Sequence, residues 1–221
     1  MFAKQEISVL QKSFSTRSLA IAGLSVLYFV GIVGIITHIH PIFILFTPIH
    51  LLLSLFISLA FHPGSRKDLR LFVITCYLVS FGAELYGVQT GLLFGAYVYG
   101  RVLGPKIGGT PLLIGVNWIL LIYSIGITVN HLSPKWHWLP KSLVATALLV
   151  GLDVLIEPVA TRYGFWSWKQ GIVPLQNYLG WCLVALPLLC IFTKTQGKAR
   201  NKVAVALFIL QILFFGILNL V

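Results

Sequence analysis

Residues 139–157 read LPKSLVATALLVGLDVLIE. From Leu143 to Leu152 no charged side chain interrupts the run, and Asp153 and Glu157 then follow one helical turn apart. A helix needs about 20 mostly apolar residues to cross the hydrocarbon core of a bilayer. This stretch has nearly that length, yet it carries two acids of the kind a membrane span rarely tolerates. It therefore points to a membrane helix and to a buried polar site at the same time.

Six other stretches have the same apolar character: roughly Leu19–Thr37, Ile42–Phe61, Leu71–Val88, Pro111–Val129, Tyr178–Phe192 and Val203–Val221. The breaks between them hold turn-forming pairs such as His40-Pro41, Gly104-Pro105 and Ser133-Pro134. Residues 87–103 are apolar but rich in Gly and Tyr, and read as a helix extension, a re-entrant piece or an interfacial segment. Gly87, Gly91 and Gly95 recur every four residues, a spacing expected to let helices approach closely. Composition agrees with the count. The chain is 58% hydrophobic and 10% charged with mean hydropathy +0.94, against roughly 25% charged residues in soluble domains. The expected fold is an all-α polytopic membrane protein, one bundle of about seven transmembrane helices over residues 1–221. Its N-terminal apolar run reads as a retained span.

The net charge of +11 does not indicate nucleic acid, because the basic residues lie in short clusters between apolar runs. With seven spans, twelve of the 16 Lys and Arg residues fall on the N-terminal side, among them Lys4, Lys12, Arg66, Lys67, Lys135, Lys141, Lys198 and Arg200. Arg101, Lys106, Arg162 and Lys169 fall on the other. Cytoplasmic loops of membrane proteins carry the excess of positive charge, so the N-terminus is expected in the cytoplasm and the C-terminus outside. The expected location is the cell (inner) membrane. Cys76, Cys182 and Cys190 show no redox or zinc spacing and read as packing residues.

Only five acids occur, and Glu6 and Asp68 sit in segments where water solvates them. Glu84, Asp153 and Glu157 fall in spans. Even on a lenient scale an intramembrane carboxylate costs about 2.5–3.5 kcal/mol, so such residues usually mark a site. Asp153 and Glu157 share a helix face. Glu84 lies about 20 Å along its own helix from Arg70. Alternating helix direction brings both to the outer half of the membrane, together with Asn117, Asn177 and Trp181. Tyr86, Tyr97, Tyr99, Trp118, Tyr163, Trp166 and Trp168 lie nearby, of which Trp166 and Trp168 read first as an interfacial aromatic belt. A carboxylic acid in a low-dielectric chamber can stay protonated and act as a Brønsted acid, and ring faces stabilise a developing cation. These parts suit protonation of an isoprenoid double bond and equally suit a transporter's proton relay.

The motifs narrow the choice. Phe81-Gly82-Ala83-Glu84-Leu85-Tyr86-Gly87, Gly91-Leu92-Leu93-Phe94-Gly95-Ala96-Tyr97-Val98-Tyr99, Gly109-Thr110-Pro111 leading to Asn117-Trp118, Asp153-Val154-Leu155-Ile156-Glu157-Pro158, Trp166-Ser167-Trp168 and Pro174-Leu175-Gln176-Asn177-Tyr178-Leu179-Gly180-Trp181 occur in this order. Together they resemble the carotenoid biosynthesis membrane-protein family that includes the CruF-type carotenoid hydratases. The resemblance covers roughly residues 70–185, while the first two spans and the last carry no signature. It implies a hydratase that needs no metal or other cofactor, acting with water on the acyclic end group of γ-carotene, lycopene or a similar carotenoid in the lipid. It also makes other carotenoid-pathway enzymes candidate partners.

Residue roles come from chemistry and not from the resemblance. Asp153 is favoured as the acid that protonates the terminal double bond, with Glu84 or Glu157 as the base that takes a proton from water. Asn117, Asn177 and Trp181 are candidates to hold water or substrate, and Tyr97, Tyr99 and Trp118 to shield the cation. Three other readings stay open. A lycopene-type cyclase would trap the same cation with an internal double bond. An isoprenoid transporter or binding protein would do no chemistry. An iron-dependent hydroxylase would need many metal-binding histidines, but His38, His40, His50, His62, His131 and His137 show no repeated spacing. A retinal-binding pump is disfavoured because no lysine follows Lys202 in the last span.

Overall fold

A computed structural model describes the backbone of residues 2–37 and 40–221, and the side chains of residues 15–37 and 41–221. The expectations for the side chains of Lys4, Glu6, Lys12, His38 and His40 lie outside those described residues. Eight α-helices are present among them: α1 (Phe2–Ile36), α2 (His40–Ile44), α3 (Thr47–Ala60), α4 (Arg66–Thr90), α5 (Leu113–Leu132), α6 (Trp138–Arg162), α7 (Leu175–Gln196) and α8 (Lys202–Asn219). Six of these segments are long and apolar enough to cross a membrane: Ser15–Ile36 within α1, then α4, α5, α6, α7 and α8. The protein is an all-α polytopic membrane protein.

The expected span Ile42–Phe61 is not one continuous helix. It breaks into α2 and α3, with Pro48 in the first turn of α3. Proline has no amide hydrogen and its ring clashes with the carbonyl four residues back, so α2 cannot run through it, while the first turn of a new helix accepts it. The 14 residues of α3 span about 21 Å at 1.5 Å each, short of the ~30 Å core. By length α3 therefore does not count with the six.

Helix α5 forms the axis of the bundle. Nearly every residue from Trp118 to Asn130 is buried, and α3, α4, α6, α7 and α8 all pack on it. A helix that is apolar all round belongs in such a position. At the end of the bundle where α4, α6 and α8 begin, a polar network ties the loops. Asn201 caps α8 by accepting from Val203 N at 3.0 Å, and its Nδ2 donates to Tyr123 Oη at 3.0 Å and to the Ser58 carbonyl at 2.8 Å. Lys141 Nζ donates to the Gly197 carbonyl at 2.9 Å. His62 Nδ1 lies 3.0 Å from Tyr123 Oη. Burial, and then the neighbouring Arg66 charge, hold the His62 imidazole below its ordinary pKa.

At the opposite end α4 stops at Thr90 because Gly91 adopts φ +70° and returns its amide to the Gly87 carbonyl, the left-handed cap that glycine favours. The four-residue glycine repeat is therefore not a helix-packing stripe: Gly91 and Gly95 both have positive φ and lie beyond the helix. Residues 91–112 form neither a span nor a re-entrant helix. They contain β1 (Tyr97–Tyr99), β2 (Lys106–Ile107) and β3 (Thr110–Pro111); β2 pairs with β3, and β1 pairs with β4 (Trp166–Trp168) from the loop between α6 and α7. Phe94 anchors this loop. Its ring occupies space left by Gly87 on α4 and Gly180 on α7, where an added Cβ would meet it at 2.6 and 2.7 Å.

Helix direction places Lys67, Lys135 and Lys198 at one end of the bundle, and Lys106 and Lys169 at the other. Reporter fusions near the first three should read cytoplasmic, and fusions after Val221 should read external. A cytoplasmic C-terminus would remove α3 from the crossings and reverse the site's side.

Candidate functional site: a three-carboxyl chamber

The chamber is built where α4 and α6 end and α5 and α7 begin. Glu84 lies in the last two turns of α4 and Asp153 and Glu157 in the last three of α6, while Asn117 and Asn177 lie in the first turns of α5 and α7. Glu84, Asp153, Glu157 and Asn177 are all buried, and Asp153 is fully so. The depth expected from alternating helix direction is what brings them together.

The β1–β4 ribbon closes this end. Its register pairs Tyr97 with Trp168, Val98 with Ser167 and Tyr99 with Trp166. Side chains alternate across a strand, so Tyr97, Tyr99, Trp166 and Trp168 face inward while Val98 and Ser167 face out. Each strand serves one carboxyl. Tyr97 and Tyr99 donate to Glu84 Oε2 at 2.5 and 2.7 Å. Trp166 and Trp168 donate through Nε1 to Glu157 Oε2 at 3.0 and 2.9 Å. Burial, then the nearby Glu84 charge, push the Tyr97 and Tyr99 hydroxyls well above the ordinary phenol range, so both stay protonated donors.

Helical residues supply the other donors. Trp118 Nε1 donates to Glu84 Oε1 at 2.8 Å. Asn177 Nδ2 donates to Asp153 Oδ2 at 2.9 Å and to Glu157 Oε1 at 3.1 Å, which couples the two acids of α6. Five of the six carboxyl oxygens therefore accept a hydrogen bond. The sixth, Asp153 Oδ1, is buried with no partner among the described residues.

A cavity of about 20 Å³ lies between these groups, walled by Glu84, Glu157, Tyr97, Tyr99, Asn177 and Trp181, with Asn117 and Trp166 on one side. That is room for roughly one water. Asp153 is not on its wall; it sits behind Asn177. Trp118 is also set back, stacked on Trp181 with ring centroids 4.3 Å apart. Its link to the chamber is the hydrogen bond to Glu84. The belt reading of Trp166 and Trp168 is corrected here, since both are buried ligands of Glu157. The clue was present in Tyr97-Val98-Tyr99 and Trp166-Ser167-Trp168, two strand-period triplets that a helix reading passes over. Tyr86 is half exposed and takes no part. Among the described residues no three His, Cys, Asp or Glu side chains come together as a metal-binding group.

The donor shell predicts a stability pattern. Removing a donor from a buried charged acceptor costs about 1–3 kcal/mol. Tyr99→Phe and Trp168→Phe should each lower the unfolding midpoint in detergent. Glu157→Ala should lower it more than Glu157→Gln, because it strands Trp166, Trp168 and Asn177 together. Equal midpoints for both Glu157 variants would mean that the donors do not depend on the carboxyl.

Comparison with known proteins agrees with the motifs. Residues 39–221 match the family described as carotenoid biosynthesis protein. The bisanhydrobacterioruberin hydratase of Haloarcula japonica is 33% identical over 153 residues, which cover 65% of this chain and 50% of that protein. The match thus spans about half the length of this curated relative. No solved structure matches the chain. The chain belongs to the carotenoid biosynthesis protein family.

Proposed function

We propose that the protein is a carotenoid hydratase of the cell membrane. It adds water across the terminal double bond of an acyclic carotenoid end group, such as that of lycopene or γ-carotene, to give a tertiary alcohol. The reading rests on the family, on the name of the relative as a hydratase, and on one structural observation: of the six carboxyl oxygens of Glu84, Asp153 and Glu157, only Asp153 Oδ1 accepts no hydrogen bond from the described residues. An oxygen that already accepts N–H or O–H donors is poorly placed to hold a proton as well. Glu84 and Glu157, each with three donors, are suited to be carboxylates.

In the proposed reaction Asp153 holds the resting proton and delivers it through Glu157, the carboxylate bridged to it by Asn177 and placed on the cavity wall. Two such coupled acids titrate as a pair. The proton adds to the less substituted carbon of the double bond and leaves a tertiary cation on its neighbour. The faces of Tyr97, Tyr99 and Trp181 shield this cation. The water in the chamber attacks the cation and gives one proton to Glu84; Glu84 then releases that proton to solvent, and solvent returns one to Asp153. The sum is addition of one H2O, with no oxidant, reductant or other cofactor. The cavity between Glu84 and Glu157 has room for the one water that hydration consumes.

Expression in a bacterium making lycopene should yield pigment heavier by one water. Asp153→Asn should insert normally and lose turnover at least a hundredfold, and Glu84→Gln and Glu157→Gln at least tenfold each. Turnover in heavy water should place deuterium on the carbon beside the new carbinol, and activity should persist anaerobically and with chelator. Pigment of unchanged mass bearing a ring would establish a cyclase, label from dioxygen a hydroxylase, and unaltered pigment a binding protein or transporter.

A further inference from the structure

A second, larger cavity, of about 310 Å³, lies against the chamber. That is within the range of small-molecule sites, about 300–1,000 Å³. Helices α1, α3, α5, α6 and α8 form its walls, with apolar side chains such as Leu27, Ile35, Leu121, Val159 and Phe215. Ile114, Asn117 and Trp166 line both this groove and the small chamber, so these three form the partition between them. Trp166 is also hydrogen-bonded to Glu157, which ties the partition to the acids. On the far side the lip of the groove consists of Val30, Phe46 and Ile49, all exposed apolar residues on α1, α3 and the turn before it.

We infer that this groove holds the polyene of the substrate: a long isoprenoid enters sideways from the lipid between α1 and α3 and brings its end group to Asn117 and Trp166, the partition beside the acids and their water. The inference rests on the hydratase reading for the identity of the ligand, but its physical basis is separate. A carotenoid is dissolved in the bilayer, so its route must open to hydrocarbon, and an apolar lip provides that opening. The chamber has room for water only, so the body of the ligand must lie elsewhere. The groove adjoins the chamber at three shared residues and is apolar along most of its length. It also accounts for the broken second span. Ending α2 before Pro48 leaves Phe46 and Thr47 at the mouth, where a straight helix would carry its own backbone past α1.

Gly31 gives the means to test this. It lines the groove on α1, and a Cβ placed there would meet Phe214 Cε2 at 3.3 Å. Gly31→Phe should fill the passage, whereas Leu78→Phe on the exposed face of α4, away from the groove, should not. Lycopene added to the full-length protein in nanodiscs provides the probe, with the shift of its visible absorption bands reporting binding. Wild type and Leu78→Phe should bind with affinities within about twofold of one another, and Gly31→Phe at least tenfold more weakly. Gly31→Phe should match wild type in membrane insertion and in its unfolding midpoint in detergent, which shows that the variant is folded. Undiminished lycopene binding by Gly31→Phe would overturn the groove assignment. Binding of lycopene by wild type without its hydration would instead defeat the hydratase reading and leave the groove standing.

Discussion

Three carboxyl groups lie inside a bundle whose surroundings are hydrocarbon, and the structure at that end of the molecule is organised around satisfying them. A buried carboxylate without donors is strongly destabilising. Seven hydrogen bonds from six side chains meet Glu84, Asp153 and Glu157. Helices alone could not supply them. The donors on one helix face are few, and their N–H and C=O groups are already used within the helix. The β1–β4 ribbon solves this by a two-residue period. It turns four consecutive inward positions into four long, rigid donors, two for each glutamate. Gly91 ends α4 so that the ribbon can form, and Phe94, seated against Gly87 and Gly180, holds it in register with α7.

The same ribbon gives the site its chemical asymmetry. Glu84 and Glu157 are saturated with donors and face the cavity, whereas Asp153 shares a single amide and keeps one oxygen free. Identical functional groups a few ångströms apart thus have different hydrogen-bond capacity left. Environments that separate paired acids in this way are how proteins assign acid and base roles to them. Because the donors are indole and phenol groups, the shell that surrounds the carboxyl groups also presents ring faces to the chamber, so in the proposed reaction one set of side chains would serve both the anions and a cation.

Location at one end of the bundle suits the proposed hydration, because a reaction joining a lipid-soluble alkene to water needs both phases within reach. The chamber lies under a short ribbon at the helix ends, and the adjoining groove opens to the lipid-facing surface at Val30, Phe46 and Ile49. The other end of α5 carries its own polar network around Tyr123 and Asn201, but there most of the bonds involve backbone groups and tie loops together.

Much of this was legible in the residues themselves. Apolar run length marks the spans, because a bilayer imposes a nearly fixed length on any helix that crosses it. The rarity of acids within those runs picks out Glu84, Asp153 and Glu157, because hydrocarbon makes each of them costly. Alternating helix direction then brings Asn117 and Asn177 to their level. Tertiary structure decided what run length and rarity cannot express. Pro48 splits a span that hydropathy alone reads as continuous. Trp166 and Trp168, which by composition belong to an interfacial belt, turn inward as ligands of Glu157, because their neighbours in space, Tyr99 and Tyr97, lie more than sixty residues earlier in the chain. Which carboxyl oxygen is left free depends on donors from α5, α7 and both strands at once. That is a property of convergence, and no single stretch of sequence contains it.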